Sequence, residues 1–107
     1  MTISRRRGWY FPNQVKVRAR GPFIDLIVGN RKMSMRTPSA HRIGFEVVKM
    51  ADEILRERVD DHIALTINGE DVCVTAFHAR QVGSLMLRRS DDADDFQLAN
   101  NLRTIET

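Results

Sequence analysis

The sequence predicts an α+β fold: an internally duplicated ββα-ββα chain whose four-stranded antiparallel sheet, extended to five by an edge strand, carries two helices on one face. Three observations predict it. Sliding the chain by 39 residues aligns Phe23 through Ile54 with His62 through Ala93 without a gap. Two hairpin signals lie at matching places in that alignment, and each is followed by apolar residues at helical spacing. At 107 residues the chain forms one domain. Its parts are a basic and aromatic N-terminal arm over 1–13, a first ββα unit over 22–58, a second over 62–97, and a C-terminal tail over 98–107.

The arm leads into Val15, Val17 and Ala19, which alternate with Lys16 and Arg18 as in an edge strand whose charges discourage edge-to-edge pairing. In the first unit Gly29-Asn30 is the turn, which sets Leu26 opposite Met33 and Ile24 opposite Met35. Thr37-Pro38 then starts a helix, Thr37 as N-cap and Pro38 at the first helical position, where a missing N–H costs nothing. Ala40, Ile43, Val47, Met50 and Ile54 line its apolar stripe. In the second unit Asn68-Gly69 suits a type I′ turn, in which both residues need positive φ. It sets Ile67 opposite Glu70, Leu65 opposite Val72 and Ile63 opposite Val74. Ala79, Val82, Met86 and Ala93 mark the second helix. Ala40/Gly44 and Ala79/Gly83 place small residues one turn apart at equivalent positions. Glycine inside a helix costs about 1 kcal/mol relative to Ala, so its recurrence points to a close packing contact.

The expected core is Ile24, Leu26, Met33, Met35, Ile63, Leu65, Val72 and Val74 from the strands, with Ile43, Val47, Val82 and Met86 from the helices. The other sheet face carries Ile27, Ser34, Ala64, Thr66, Cys73 and Thr75, with Asp25 and Lys32 its only charges. That is few for a solvated face, which predicts a cover: the arm with Trp9, Tyr10 and Phe11, or the same face of a second copy in a symmetric homodimer.

Charge is polarised along the chain. Residues 1–49 hold eleven cations and two acids, a net +9, and the remainder holds six cations and twelve acids, a net −6. Fourteen of the seventeen cations are Arg, a side chain suited to bidentate phosphate contacts. Arg5, Arg6 and Arg7 precede Trp9 and Tyr10, and Lys16, Arg18, Arg20, Arg31, Lys32 and Arg36 follow. Cations interleaved with aromatics are the footprint of a nucleic-acid surface. Asp91, Asp92, Asp94 and Asp95 crowd one helix segment and suit a basic protein partner.

Other chemistries are not indicated. His41, His62, His78 and Cys73 have no zinc-ligand spacing, the acidic run lacks the glycine and glutamate of a calcium loop, and no serine sits in a nucleophile elbow. Neither a catalytic site nor a cofactor is expected. Ser4-Arg5-Arg6-Arg7-Gly8-Trp9 resembles a twin-arginine export signal but lacks the apolar stretch that must follow. No apolar run approaches the roughly 20 residues of a spanning helix, and the lone Cys73 forms no internal disulfide, which together predict a cytoplasmic protein with no membrane partner. The expectation is a small non-enzymatic binding or regulatory protein whose basic half engages nucleic acid or a nucleoprotein. Its alternative is a protein-interaction module that covers a partner's functional surface through the acidic helix. In composition the chain is analogous to small accessory proteins of phages and mobile elements.

Overall fold

The computed structural model of the chain describes the backbone of residues 1–106 and the side chains of residues 1–94, so the side chain of Asp95 lies outside the described residues. The elements are β1 (Thr2–Arg6), β2 (Lys16–Arg20), β3 (Phe23–Val28), β4 (Arg31–Arg36), α1 (Thr37–Glu57), β5 (His62–Ile67), β6 (Glu70–Thr75) and α2 (Ala76–Glu106). The architecture is α+β, with two helices and two antiparallel three-stranded sheets. The strands are ordered β2-β3-β4 in the first sheet and β1-β5-β6 in the second.

Both hairpins have the expected register, Leu26 opposite Met33 and Leu65 opposite Val72. Asn68 and Gly69 both take positive φ, at 51° and 83°, as the type I′ turn requires. In the first hairpin only Gly29 does.

The single four-stranded sheet is not what forms. Each hairpin instead gains its third strand from the first twenty residues: β2 pairs with β3, and β1 pairs with β5. The outer edge of β6 is engaged as well, because the Asn13 N–H donates to the Cys73 carbonyl at 2.7 Å and Asn13 Oδ1 accepts from the Cys73 N–H at 3.2 Å. Edges occupied in this way leave the two hairpins no shared ladder. The segment read as an N-terminal arm thus contains a strand, and Met1 and Ile3 pack against the core. At the other end α2 continues through the segment read as a tail, since no Gly or Pro interrupts the sequence after Ser90.

The core contains every expected residue. Of the expected strand and helix residues named for it all but Met33 are buried, Met33 packs against it partly exposed, and Val15, Ala51, Ile54 and Ala93 are buried with the others. The two helices make the largest contact in the molecule and cross where Gly44 meets Gly83. A Cβ at Gly44 would sit 2.9 Å from the Gly83 carbonyl oxygen, and a Cβ at Gly83 would sit 2.8 Å from both the Gly44 oxygen and Val48 Cγ2. The recurrent glycines are therefore a reciprocal backbone contact. Each helix also crosses between sheets: α1 touches β1 and β5 as well as β3 and β4, and α2 touches β2 and β3 as well as β5 and β6.

Helix ends differ from expectation in one detail. The N-cap of α1 is Arg36, with no side-chain cap, and Pro38 lies within the first turn. Thr37 is displaced from the capping position because its hydroxyl donates to Asp94 Oδ1 at 2.7 Å, which ties the start of α1 to α2. In α2 the Thr75 hydroxyl accepts from the His78 N–H at 3.1 Å and so caps the first turn. Arg58 ends α1 in the left-handed region, at φ 56° and ψ 43°, with its N–H bonded to the Ile54 carbonyl at 3.1 Å.

Candidate nucleic-acid interface

Strand parity and register divide the sequence-predicted cations into two groups. Because Ile24 and Leu26 face the core, Phe23, Asp25 and Ile27 face outward on β3. Their partners complete three rows across the sheet: Arg20, Phe23 and Arg36; Arg18, Asp25 and Ser34; Lys16, Ile27 and Lys32. Lys16, Arg18, Arg20, Lys32 and Arg36 thus share one face of the first sheet with a single acid.

That acid is fully buried beneath its neighbours. Asp25 Oδ2 accepts from Arg20 Nε at 3.2 Å and Arg18 Nη2 at 3.4 Å, while Oδ1 accepts from the Ser34 hydroxyl at 2.6 Å. Arg20 also donates to Ser34 Oγ at 3.4 Å. Burial pushes the Asp25 carboxyl upward, but the Ser34 hydroxyl and the Arg20 and Arg18 guanidinium groups outweigh it and hold the group below the usual carboxylate range. Asp25 therefore stays charged and anchors two guanidinium groups over β3. Along the next row the Arg20 and Arg36 guanidinium carbons lie 5.2 and 5.7 Å from the centre of the Phe23 ring. Among the described residues, Lys16, Lys32 and Arg36 have no carboxylate within ion-pair distance.

The remaining predicted cations are spent inside the molecule. Arg5 pairs with Glu57 and, at 2.6 Å, with Asp61; Arg6 pairs with Asp71 at 2.6 Å; Arg7 reaches Asp61 at 3.5 Å. Arg31, at the tip of the first hairpin, pairs with Glu70 at the tip of the second. Every one of these acids belongs to the second half of the chain, so much of the polarity read along the sequence is complementarity between halves. The exposed pairs among them add at most about 1 kcal/mol each, and their larger effect is on register and docking, whereas Asp61 is buried and takes its charge partners from Arg5 and Arg7.

The aromatic residues of the arm do not join the basic face. Tyr10 stacks on His62, with ring centres 3.8 Å apart and planes at 19°, and so roofs the outer face of the second sheet. Burial, and next the charge of Arg6, push the His62 imidazole below its ordinary value against the opposing pull of Asp61, and its Nδ1 has no hydrogen-bond partner among the described residues. The chain then passes Asn13 at the β6 edge, and the Val15 N–H donates to His78 Nε2 at 3.1 Å. Trp9 is 82% exposed, lies edge-to-face with Phe11 at 4.5 Å, and lines a groove of about 650 Å³ with Leu55, Arg58, Val59 and Phe77. Ala64, on the face expected to be shared by two copies, is already fully buried within this chain.

No protein-family model, curated protein or solved structure matches the chain. The reading of the site therefore stands on its geometry. A 39-residue shift carries β3 and β4 onto β5 and β6, and β1 takes the flanking place that β2 holds in the first sheet, so the rows of the second outer face are Arg6, His62 and Thr75; Ser4, Ala64 and Cys73; Thr2, Thr66 and Asp71. Among the described residues the second face holds one paired cation and is roofed by the arm, whereas the first holds five, all of them exposed. Sequence reasoning missed Phe23 and the anchoring role of Asp25, although the alternation of β3 puts both on the outer face.

The acidic segment is likewise divided. Asp92 pairs with Arg89 one helical turn away at 3.5 Å, Asp94 accepts the Thr37 hydroxyl, and Asp91 is exposed. No helix among the described residues is long and apolar enough to cross a membrane.

Proposed function

We propose that this protein is a small, non-enzymatic nucleic-acid-binding module, built from two duplicated ββα units, that docks the outer face of β2-β3-β4 onto a phosphate backbone. The observation that carries the reading is the convergence of Lys16, Arg18, Arg20, Lys32 and Arg36 on one sheet face, with a single carboxylate buried beneath them. Phosphate contacts dominate the affinity of such surfaces, and a planar array of guanidinium and ammonium groups is the chemistry that makes them. The roofed, charge-poor face of the second sheet supports the same assignment by contrast: one unit supplies the binding face while the other supplies structure.

The test is fluorescence anisotropy of labelled oligonucleotides titrated with the full chain across a salt series. A face of net +4 gives a slope of log affinity against log salt between about −3 and −4. Exchanging the three free cations together, Lys16→Gln, Lys32→Gln and Arg36→Gln, should weaken binding by about tenfold or more and reduce the slope to about −1. Arg88→Gln, on α2, should leave both unchanged. Failure of any oligonucleotide to bind at about 50 mM salt would remove this function from the molecule.

A further inference from the structure

Resting on that reading, we infer that the polynucleotide held by this face is single-stranded, with unpaired bases lying over Phe23 and Ile27 and phosphates on the flanking strands. The geometry separates the two kinds of contact. Cations occupy only the outer strands, Lys16, Arg18 and Arg20 on β2 and Lys32 and Arg36 on β4, while the central strand presents Phe23 and Ile27. Alternate residues along a strand lie about 6.7 Å apart and neighbouring strands about 4.8 Å apart. The face is therefore two cationic rails about 10 Å apart with a narrow apolar strip between them.

An unpaired nucleotide has matching anatomy, a charged phosphate on one side and a flat ring on the other. A duplex does not. Its base faces are stacked out of reach, and its edges must be read through a groove by hydrogen-bonding side chains. The central strand offers no such reader, since Phe23 and Ile27 are apolar and the oxygens of Asp25 are taken by Arg18, Arg20 and Ser34. The major groove also accepts a two-stranded ribbon, and this surface is three strands wide. The guanidinium groups of Arg20 and Arg36 lie over the Phe23 ring, and their planes continue the surface on which a base stacks.

The test compares oligo-thymidine, oligo-uridine and a duplex of equal length against the full chain at one salt concentration. Three proteins are used: the unaltered chain, Phe23→Leu, which keeps apolar bulk and removes the ring, and Phe23→Tyr, which restores it. Circular dichroism melting establishes that each variant is folded. Single strands should bind at least about tenfold more tightly than the duplex. Phe23→Leu should weaken single-strand binding by between about fivefold and about a hundredfold without changing the salt slope, and Phe23→Tyr should recover it. The tighter of the two single-strand arms identifies DNA or RNA as the source. A duplex that binds as tightly as the single strands, or a folded Phe23→Leu protein with undiminished single-strand affinity, would overturn this inference and leave the charge-based reading intact. Absence of binding to all three probes would instead overturn the reading beneath it.

Discussion

Replacing Gly83 by Ala sets two physical effects against each other with opposite signs. Helix propensity alone favours Ala by about 1 kcal/mol, so an unpacked helix would gain stability. The crossing predicts a loss. A new Cβ would stand 2.8 Å from the Gly44 carbonyl oxygen and from Val48 Cγ2, and 3.2 Å from Val47 Cγ1, where ordinary contact begins at 3.4 Å. A backbone oxygen cannot rotate aside, so the helices must part by about half an ångström, which forfeits about a quarter of the dispersion attraction at each contact that opens. Overpacking of this kind costs about 1–3 kcal/mol, and two contacts this short put Gly83 at the upper end. After the propensity gain the net destabilisation is about 1–2 kcal/mol, or a fall in Tm of about 5–15 °C. Gly44→Ala should cost less, because its neighbours lie at 2.9, 3.0 and 3.3 Å. The double variant should cost less than the sum of the two, since one separation of the helices accommodates both methyl groups. Urea denaturation followed by circular dichroism measures all three, with the exposed Ser84→Ala as a propensity control. A Gly83→Ala protein as stable as the parent, or more stable, would refute the close crossing.

Three other outcomes follow from local geometry. Arg58→Gly should stabilise the protein by about 0.5–1 kcal/mol in the same assay, because a non-glycine residue at φ 56° carries a steric cost that glycine lacks; a loss of stability would show that the Arg58 side chain contributes more than its backbone costs. Asp25 has a lowered folded pKa, so its contribution to stability is complete above about pH 4 and is lost as pH falls through the folded value; urea midpoints of Asp25→Asn should accordingly show less decline in acid than the parent. His62 is also lowered and buried neutral, so the stability it confers is complete above about pH 6.5 and declines as pH drops towards the folded value. An NMR titration of its ring protons should have a midpoint below that of free histidine, and a midpoint at or above that value would contradict the burial beneath Tyr10.

The parts of this molecule that rest on local periodicity were legible in the sequence. Turn chemistry at Asn68-Gly69 and Gly29-Asn30 fixes hairpin register, and register fixes which side chains enter the core, so Leu26, Leu65, Val74 and Met86 could be placed without coordinates. The paired glycines could be read as a packing contact because a repeated local cost demands a tertiary return. Long-range partners were not legible. Thr2–Arg6 has little apolar alternation, and its pairing with β5, about sixty residues later, is decided by edge hydrogen bonds and by Glu57, Asp61 and Asp71 waiting for Arg5, Arg6 and Arg7. For the same reason a tally of cations overstated the basic surface: charge counted along a chain does not reveal which charges meet their opposites. Of the candidate site, Lys16, Arg18, Arg20, Lys32 and Arg36 were found by composition, but only the strand register could gather them and add Phe23.

The exchange of strands and helices between the two sheets bears on how the chain reaches its native state. Strand β1 leaves the start of the chain to join β5, and α2 returns from the end to lie on β2 and β3, so the second half lacks a strand of its sheet and the first half lacks part of the cover of its own. During synthesis the first fifty-eight residues would hold their apolar strand faces open until β5 and α2 emerge, a topology of high contact order that folds late and all at once. Unfolding should be equally indivisible, with near-UV and far-UV ellipticity lost at one urea concentration. The same interlock makes the chain a candidate for fragment complementation: severed in the connection between α1 and β5, two pieces that are each disordered should recover the native spectrum only when mixed.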